Sequence, residues 1–320
     1  MRKLALVLGL FVVLGAIGHI SGNQPPRDAV AAAQHELGIP LDAERVRVGE
    51  VELFVVQAGP RDGKPVVLLH GFPEFWYAWK GVIKPLADAG FRVIVPDQRG
   101  YDLSDKPPGV ASYQIDRLGD DIAGLIQALG HDEACVAAHD WGGGVAWNLA
   151  IRHPERVRKL AVIDTPHPQA GRDVASKEQK VSWYRTFFQI PWLPEEVARW
   201  GNWYATARML RETAKPGAFP DAKLDLYRSA WDRDAAYGTM VDWYRAAYRF
   251  WPNDTGERRV SVPTLILLAP GDAFIASDLT RASLRYLDDG RLVELPGGTH
   301  WVLQEEPERV AAILAGFFAE

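Results

Sequence analysis

The chain reads Val136-Ala137-Ala138-His139-Asp140-Trp141-Gly142-Gly143-Gly144 where a short apolar run meets a glycine-rich segment. This pattern predicts a strand that ends in a sharp turn and is followed at once by a helix. Such a turn needs small residues around position 140, because its central residue is held in a strained backbone conformation. We therefore expect the side chain of Asp140 to stand above the carboxyl edge of a parallel sheet, where the sites of α/β proteins lie.

Similar apolar runs occur on both sides of this turn and alternate with segments of helical spacing. We interpret these runs as strands: residues 45–57 with a turn near Gly49, and residues 66–69, 91–95, 135–139, 160–163, 264–268 and 292–295. The alternation predicts an α/β fold with a mostly parallel sheet flanked by helices. We assign residues 40–167 and 253–320 to this core.

The alternation breaks off in residues 168–252, where no run is typical of a strand. The interval is rich in aromatic residues, namely Trp183, Tyr184, Phe187, Phe188, Trp192, Trp200, Trp203, Tyr204, Trp231, Trp243, Tyr244 and Trp251. We interpret it as a helical cap inserted into the core. Aromatic surface that a small helical bundle cannot bury by itself would line a pocket between cap and sheet.

The composition limits the classes of partner. A chain of 320 residues with 48% hydrophobic and 24% charged residues is typical of a packed globular protein. A net charge of −5 gives no basic excess that would favour nucleic acid or electrostatic attraction to a membrane. The single cysteine, Cys135, excludes an internal disulfide and a cysteine-based metal site, and its apolar neighbours indicate a core position.

Residues 1–22 form a separate segment. Arg2 and Lys3 precede the apolar residues 4–17, and polar residues follow. This order is typical of an export signal or a short membrane anchor, although the run is shorter than the about 20 residues of a full span. Positive charge before the run would place the rest of the chain outside the cytoplasm, either exported or anchored to the membrane. A buried first helix of the domain is the alternative.

An aspartate at the apex of the turn indicates a specific chemistry. A carboxyl group of this type has an ordinary pKa of about 3.9, so it is ionised at neutral pH without the help of a base. A carboxylate can displace a leaving group from a saturated carbon and form an alkyl ester with the enzyme, which suits epoxides or carbon–halogen bonds. The simpler alternative is that Asp140 only caps the following helix.

Hydrolysis of such an ester needs a base and an acid that orients the base. His300, in Gly297-Gly298-Thr299-His300-Trp301, follows a strand-like run near the C-terminus, and Asp272 follows the preceding run. The chain order of nucleophile, acid and histidine is that of α/β-hydrolases. Asp164, at the end of another run, is a rival for the acid and otherwise forms a turn.

The same hydrolysis develops negative charge on an oxygen atom. The segment His70-Gly71-Phe72-Pro73 follows a strand end, so the backbone N–H of Phe72 can meet that of Trp141 and form an oxyanion hole. We expect His70 and His139 to brace turns and His153 to end a helix. No histidine has the spacing of a metal ligand with carboxylates, so the sequence implies no metal or other cofactor.

In this combination the motifs resemble those of the epoxide hydrolases of the α/β-hydrolase fold. The resemblance runs from about Val51 to the C-terminus. It rests on four motifs in the expected order, which are His70-Gly71-Phe72-Pro73-Glu74, Asp97-Gln98-Arg99-Gly100-Tyr101, His139-Asp140-Trp141-Gly142-Gly143 and the segment around His300. Together they are specific for α/β-hydrolases with an aspartate nucleophile, and less specific for epoxide hydrolases against dehalogenases.

The resemblance implies two further catalytic residues in the cap. Epoxide hydrolases use two cap tyrosines whose hydroxyls bind and protonate the epoxide oxygen. Segments 182–189 and 242–245 are similar to the two tyrosine segments of the family, which assigns these roles to Tyr184 and Tyr244. An alkoxide leaving group needs a proton donor, whereas a halide does not. We also expect four residues to line the substrate pocket, namely Pro73, Trp76, Phe188 and Trp301.

Four positions depart from the pattern of the family. Ala138 replaces a usual glycine but is small, and Asp102 stands where glycine is common but tolerates left-handed geometry. Leu268-Ala269 replaces the usual Trp-Gly pair before the acid Asp272, which weakens that assignment.

The expectation is a cofactor-independent hydrolase that acts with water on a small hydrophobic epoxide. A haloalkane or haloacid dehalogenase that uses Asp140 is the first alternative. Haloalkane dehalogenases usually have asparagine where Phe72 stands, and haloacetate dehalogenases have arginine where Trp141 stands, so neither match is present. The second alternative is a non-catalytic ligand-binding protein on the same fold.

Overall fold

A single eight-stranded sheet organises the chain in the computed structural model, which describes residues 28–178, 180–250 and 258–320. The strands are β1 (Asp42–Val48), β2 (Val51–Ala58), β3 (Lys64–Leu69), β4 (Phe91–Pro96), β5 (Ala134–His139), β6 (Val157–Ile163), β7 (Thr264–Leu268) and β8 (Gly290–Glu294). Their order is β1-β2-β4-β3-β5-β6-β7-β8. Only the pairs β1–β2 and β2–β4 are antiparallel. The predicted mostly parallel sheet is confirmed.

Burial explains why the parallel strands were visible as continuous apolar runs. Every residue of β4, β5 and β7 is buried, including Cys135. A strand that is covered on both faces has no polar face, so its sequence does not alternate.

The helices follow the strands in the predicted alternation. They are α1 (Ala29–Leu37), α2 (Lys80–Asp88), α3 (Ile115–Ala128), α4 (Trp141–Arg152), α5 (Pro168–Asp173), α6 (Trp183–Phe187), α7 (Leu193–Thr213), α8 (Asp221–Trp231), α9 (Ala236–Phe250), α10 (Ser277–Ala282), α11 (Val302–Glu305) and α12 (Pro307–Ala319). Short 3₁₀ turns lie at Trp76–Trp79, Val110–Tyr113, Pro154–Arg156 and Ser283–Tyr286. Helix α1 was not predicted, although Asp28 caps it by accepting the N–H groups of Val30 and Ala31.

Helices α5 to α9 fill the interval between β6 and β7, and the described residues of that interval contain no strand. Helix α7 is interrupted, because residues 200–203 have non-helical backbone angles. The cap limits of 168 and 252 stay a prediction, and Trp251 lies outside the described residues.

The cap is tied to the strand ends by side chains of its aromatic residues. The indole of Trp231 donates to the carbonyl of Pro73 at 2.6 Å, and the indole of Trp243 donates to the carbonyl of Arg99 at 3.0 Å. Both acceptors follow strands of the sheet, so these bonds fix the cap over the edge where the predicted site lies.

The predicted export signal or anchor, residues 1–22, lies outside the described residues. Within the described part of the chain, no helix combines the length and the apolar character that a membrane span requires.

Candidate active site

Asp140 occupies the turn between β5 and α4. Its backbone has φ of 51° and ψ of −122°, a conformation that is strained for a residue with a side chain. Two glycines allow the turn. A Cβ at Gly142 would lie 2.4 Å from the carbonyl oxygen of Leu69, and a Cβ at Gly71 would lie 2.4 Å from the Cβ of Asp140 itself. The predicted strand–turn–helix is therefore present, with a backbone too closely packed for larger residues.

Three strand ends bring together the acid, the base and the proposed nucleophile. His300 follows β8, and its Nε2 lies 3.7 Å from Oδ2 of Asp140. Nδ1 of His300 donates to Oδ2 of Asp272 at 2.6 Å. The other carboxylate oxygen of Asp272 accepts the backbone N–H groups of Phe274 at 2.6 Å and Ile275 at 2.9 Å. Asp272 is thus held in place by its own turn and can orient the imidazole.

The pKa values of His300 and Asp272 are shifted in opposite directions. Burial lowers the pKa of His300, but the charge and the hydrogen bond of Asp272, with a contribution from Asp140, outweigh it and raise the pKa to about 9. Burial raises the pKa of Asp272, yet His300 and the backbone N–H groups outweigh it, and the pKa lies below its ordinary value. His300 is therefore protonated in the free protein at neutral pH.

The rival acid, Asp164, lies at the end of β6 but is not the carboxylate that bonds His300. Its Oδ1 accepts the N–H of Ala269 at 2.7 Å. Burial, and then the charge of Asp272, raise the pKa of Asp164 well above its ordinary value. Asp164 therefore holds a proton more tightly than Asp272 does.

Of the two predicted oxyanion donors, the structure brings one directly to the nucleophile. The N–H of Phe72 donates to Oδ1 of Asp140 at 2.9 Å. Trp141 begins helix α4, so its N–H lies in the first turn, where the helix itself supplies no acceptor. The contribution of Trp141 to an oxyanion hole stays a prediction.

Tyr184 on α6 and Tyr244 on α9 converge above the turn. Their rings lie 5.8 Å apart, and the ring of Tyr244 lies 4.9 Å from that of Trp141. Burial raises the pKa of Tyr184, which the adjacent Arg185 partly offsets. Burial also raises the pKa of Tyr244, well above its ordinary value, and Tyr184 and Asp140 add to this effect. Both hydroxyls are therefore protonated at neutral pH and available as donors.

Two of the four predicted pocket residues pack directly against this cluster. Phe188 contacts Tyr244 with ring centroids 5.0 Å apart and Phe72 with centroids 5.4 Å apart. Trp301 lies edge-on to the ring of His300 at 4.8 Å. These contacts give the site an aromatic lining that suits an apolar substrate.

The other two predicted pocket residues have different surroundings. Pro73 follows Phe72 through a cis peptide bond, and its carbonyl is the acceptor that ties Trp231 to the core. Trp76 is fully buried and packs against Phe75 and Tyr77. It borders a groove of about 420 Å³ that none of the triad residues lines. The place of Trp76 in the substrate pocket therefore stays a prediction.

A second buried group near His300 was not predicted. The ring of His139 lies 4.6 Å from that of His300, and its Nδ1 lies 3.7 Å from Oε2 of Glu74. Burial raises the pKa of Glu74, but the ionic contact with His139 and the hydrogen bond from Tyr227 outweigh it, so the pKa lies below its ordinary value. The prediction of a simple turn brace was therefore incomplete for His139. The sequence offered one signal of this buried contact, which is the charged Glu74 directly before the apolar run that begins at Phe75.

For His70 the prediction of a brace is confirmed. Its Nε2 accepts the N–H of Gln98, and Gln98 donates back to the carbonyl of His70 at 2.6 Å. Burial lowers the pKa of His70 to about 4, so its ring is neutral. Among the described residues, no group of three or more histidine, cysteine or acidic side chains could hold a metal ion.

The geometry and the comparisons with known proteins define one class. The family model for the alpha/beta hydrolase fold matches residues 64–307, so the chain belongs to the α/β-hydrolase family. "AB hydrolase superfamily protein YfhM" of Bacillus subtilis is 39% identical over 274 residues, which cover 84% of this chain and 95% of that protein.

Other relatives are named for an activity. "Epoxide hydrolase A" of Mycobacterium tuberculosis is 32% identical over 317 residues, covering 88% of this chain and 98% of the relative. The crystal structure of Epoxide Hydrolase A from Mycobacterium thermoresistibile superposes with a TM-score of 0.74 at 29% identity, covering 87% of this chain and 98% of that one.

Proposed function

We propose that the protein is an epoxide hydrolase that converts a small hydrophobic epoxide to a vicinal diol through an alkyl ester on Asp140. The observation that carries this proposal is the placement of two protonated tyrosines above an aspartate that lies within reach of a histidine–aspartate pair. The similarity to proteins named epoxide hydrolases supports the same reaction.

The first step opens the ring. A carboxylate oxygen of Asp140 bonds to one epoxide carbon while the bond from that carbon to the epoxide oxygen breaks. The oxygen takes a proton from Tyr184 or Tyr244, and the product is a hydroxyalkyl ester. A positioned acid is needed because the leaving group is an alkoxide.

Proton transfer then prepares the second step. Formation of the ester removes the negative charge of Asp140, which is one of the charges that raise the pKa of His300. The proton of His300 can therefore pass to the tyrosinate and restore the phenol. His300 is left neutral, as a general base must be.

The second step releases the diol. His300 takes a proton from water, and the resulting hydroxide attacks the ester carbonyl. The N–H groups of Phe72 and Trp141 stabilise the oxyanion. Collapse of this intermediate breaks the bond between the ester carbon and the diol oxygen, and that oxygen takes the proton of the added hydroxyl. Asp140 is then a carboxylate again and His300 is protonated, so that one epoxide and one water give one diol.

Isotope labelling tests the covalent step. A single turnover in heavy-oxygen water should place the label in the carboxylate of Asp140, because water attacks the ester carbonyl. Label in the diol after that first turnover would show that water attacks the epoxide directly and would refute the ester.

A dehalogenase is less well supported by this site. A halide leaves without a proton, so Tyr184 and Tyr244 would have no role as proton donors. Halide release from simple haloalkanes, with epoxides inert, would establish that alternative. A non-catalytic binding protein predicts instead that Asp140→Asn leaves function intact.

The cellular location is a separate proposal. We propose export or membrane anchoring through residues 1–22, supported by Arg2 and Lys3 before the apolar residues 4–17. Cell fractionation of the full chain against a chain that begins at Asp28 tests it. Recovery of both forms in the cytoplasmic fraction would contradict the proposal.

A further inference from the structure

A buried carboxyl group beside the triad has no role in the mechanism above. Asp164 directly follows strand β6. In the sheet, β6 lies between β5, which precedes the nucleophile, and β7, which precedes Asp272. Asp164 is fully buried, and its Oδ2 lacks a hydrogen-bond partner. A buried polar atom without a partner costs free energy, so its presence calls for an explanation.

Asp164 and Asp272 share a single anchoring residue. The N–H of Ala269 donates to Oδ1 of Asp164 at 2.7 Å, and the carbonyl of Ala269 accepts the N–H of Asp272 at 3.1 Å. The turn that holds the working acid is thus built on the side chain of the second acid.

The backbone also indicates a specific placement of Asp164. Its φ is 47°, in the left-handed region that residues with side chains rarely adopt. The next residue, Thr165, donates its hydroxyl to the carbonyl of Asp140 at 2.9 Å. The end of β6 therefore contacts both the nucleophile turn and the turn of Asp272.

We propose that Asp164 is a second positioning acid for His300, neutral while Asp272 carries the charge and ionised when Asp272 loses it. This inference rests on the proposed function, because it concerns the base that hydrolyses the ester. The charged groups that face Asp164 are Asp272, His300 and Lys180.

The protonation states follow from these neighbours. Two carboxylates in one buried site do not both ionise readily, and the one with the better hydrogen bonds keeps the charge. Asp272 accepts three hydrogen bonds, from His300, Phe274 and Ile275, whereas Asp164 accepts one. Removing the charge of Asp272 removes the main charge that opposes ionisation of Asp164, and the cation of His300 then favours it.

A double-mutant cycle on Asp164 and Asp272 tests the proposal, with hydrolysis of the alkyl-enzyme ester followed in single turnovers across pH. Asp164→Asn keeps an acceptor for Ala269, so in the wild-type background the rate should fall by about threefold or less, the effect of one neutral hydrogen bond. In the Asp272→Asn background the same substitution should slow hydrolysis by a further tenfold or so, since the two sites are coupled.

The pH profile distinguishes a charge from a structural support. Every variant that keeps His300 should lose hydrolysis on acidification, because the base is then protonated. In Asp272→Asn this acidic limb should lie at higher pH than in the double variant, because only the former can hold a charge at Asp164 that raises the pKa of His300. Asp97→Asn provides a matched control, because Asp97 is also a fully buried acid at a strand end with a raised pKa but bonds Trp76 instead of the triad region. Added to Asp272→Asn, it should leave the acidic limb in place.

A second measurement does not depend on turnover. In Asp272→Asn, the pKa of His300 measured by NMR should be higher than in the double variant, because only the former can hold a charge at Asp164. Equal values of this pKa, together with equal hydrolysis rates, would overturn the inference and leave the proposed function intact. If no ester forms in any variant with any epoxide, the proposed function fails, and the inference fails with it.

Discussion

Nε2 of His300 lies 3.7 Å from Oδ2 of Asp140, while Nδ1 of the same ring lies 2.6 Å from Asp272. The imidazole is thus bonded to its orienting acid and only in ionic contact with the nucleophile. A gap of this size leaves Asp140 free to attack a substrate. In the proposed mechanism we therefore expect His300 to be needed for the hydrolysis of the ester rather than for its formation.

His300→Gln should therefore stop the reaction halfway. We expect the variant to form the ester on Asp140 and to lose steady-state turnover by about 10³-fold, which is the range of a lost general base. Intact-protein mass spectrometry after mixing with an epoxide should show the mass of one substrate added. Unmodified protein, with Asp140 intact, would contradict the division of labour between the two residues.

Removing the charge of the nucleophile should lower the proton affinity of His300. The charge of Asp140 is one of the contributions that raise the pKa of His300 to about 9. Asp140→Asn mimics the neutral ester, so NMR titration should place the pKa of His300 in this variant below the wild-type value. A pKa that does not change would remove the basis for the proton transfer proposed between the two steps.

Stability should fall as the pH rises from neutral to alkaline. The pKa of His300 is raised from an ordinary value of 6.5 to about 9, so the folded protein binds a proton that the unfolded chain has released in this interval. The contribution of this group is complete below about pH 6.5 and is lost as the pH passes about 9. Urea unfolding of wild type and His300→Gln at both limits checks this, and an equal decline in both proteins would assign the loss to other groups.

The two cap tyrosines should share the protonation of the epoxide oxygen. Each single substitution by phenylalanine should lower turnover, and Tyr184→Phe with Tyr244→Phe should lower it by about 10⁴-fold, the upper range of general acid catalysis. Tyr204→Phe is the matched control, because Tyr204 lies in the cap but is about half exposed. Substantial epoxide turnover by the double variant would show that another group is the proton donor.

Glu74 should stabilise the fold through buried bonds that link core and cap. Its Oε1 accepts the hydroxyl of Tyr227 at 2.8 Å and the amide of Gln304 at 3.0 Å. Glu74→Ala leaves these donors and His139 without the carboxylate, so the free energy of unfolding should fall by about 3 kcal/mol.

The matched substitution Tyr227→Phe removes one of these bonds and should lower the free energy of unfolding by about 1 kcal/mol. Denaturant unfolding of both variants measures the two effects. A loss no larger for Glu74→Ala than for Tyr227→Phe would show that the buried charge contributes little.

The residues at strand ends were predictable because their positions follow from the chain alone. Asp140 and Asp272 follow the buried strands β5 and β7, and His300 follows the edge strand β8. Parallel strands bring their carboxyl ends to one edge of the sheet. The sequence favoured Asp272 as the acid and left Asp164 as a rival, since both follow an apolar run. Only the distance from Nδ1 of His300 separates them.

Other features depend on packing that no local pattern encodes. The approach of His139 to His300, for example, brings together two segments that lie far apart in the sequence. Tyr184 and Tyr244 were identified only by the resemblance to the family, because no helix or strand periodicity relates residues that lie so far apart in the sequence.

The bond from Trp231 to the carbonyl of Pro73 has a consequence for how the catalytic cycle begins. That carbonyl belongs to the residue directly after Phe72, whose N–H holds the nucleophile. An outward movement of the cap would therefore have to break the bond of Trp231 or displace the loop that holds Asp140. Admission of substrate and assembly of the reactive machinery are thus mechanically linked, so that a molecule which fits beneath a closed cap meets a centre already set for reaction.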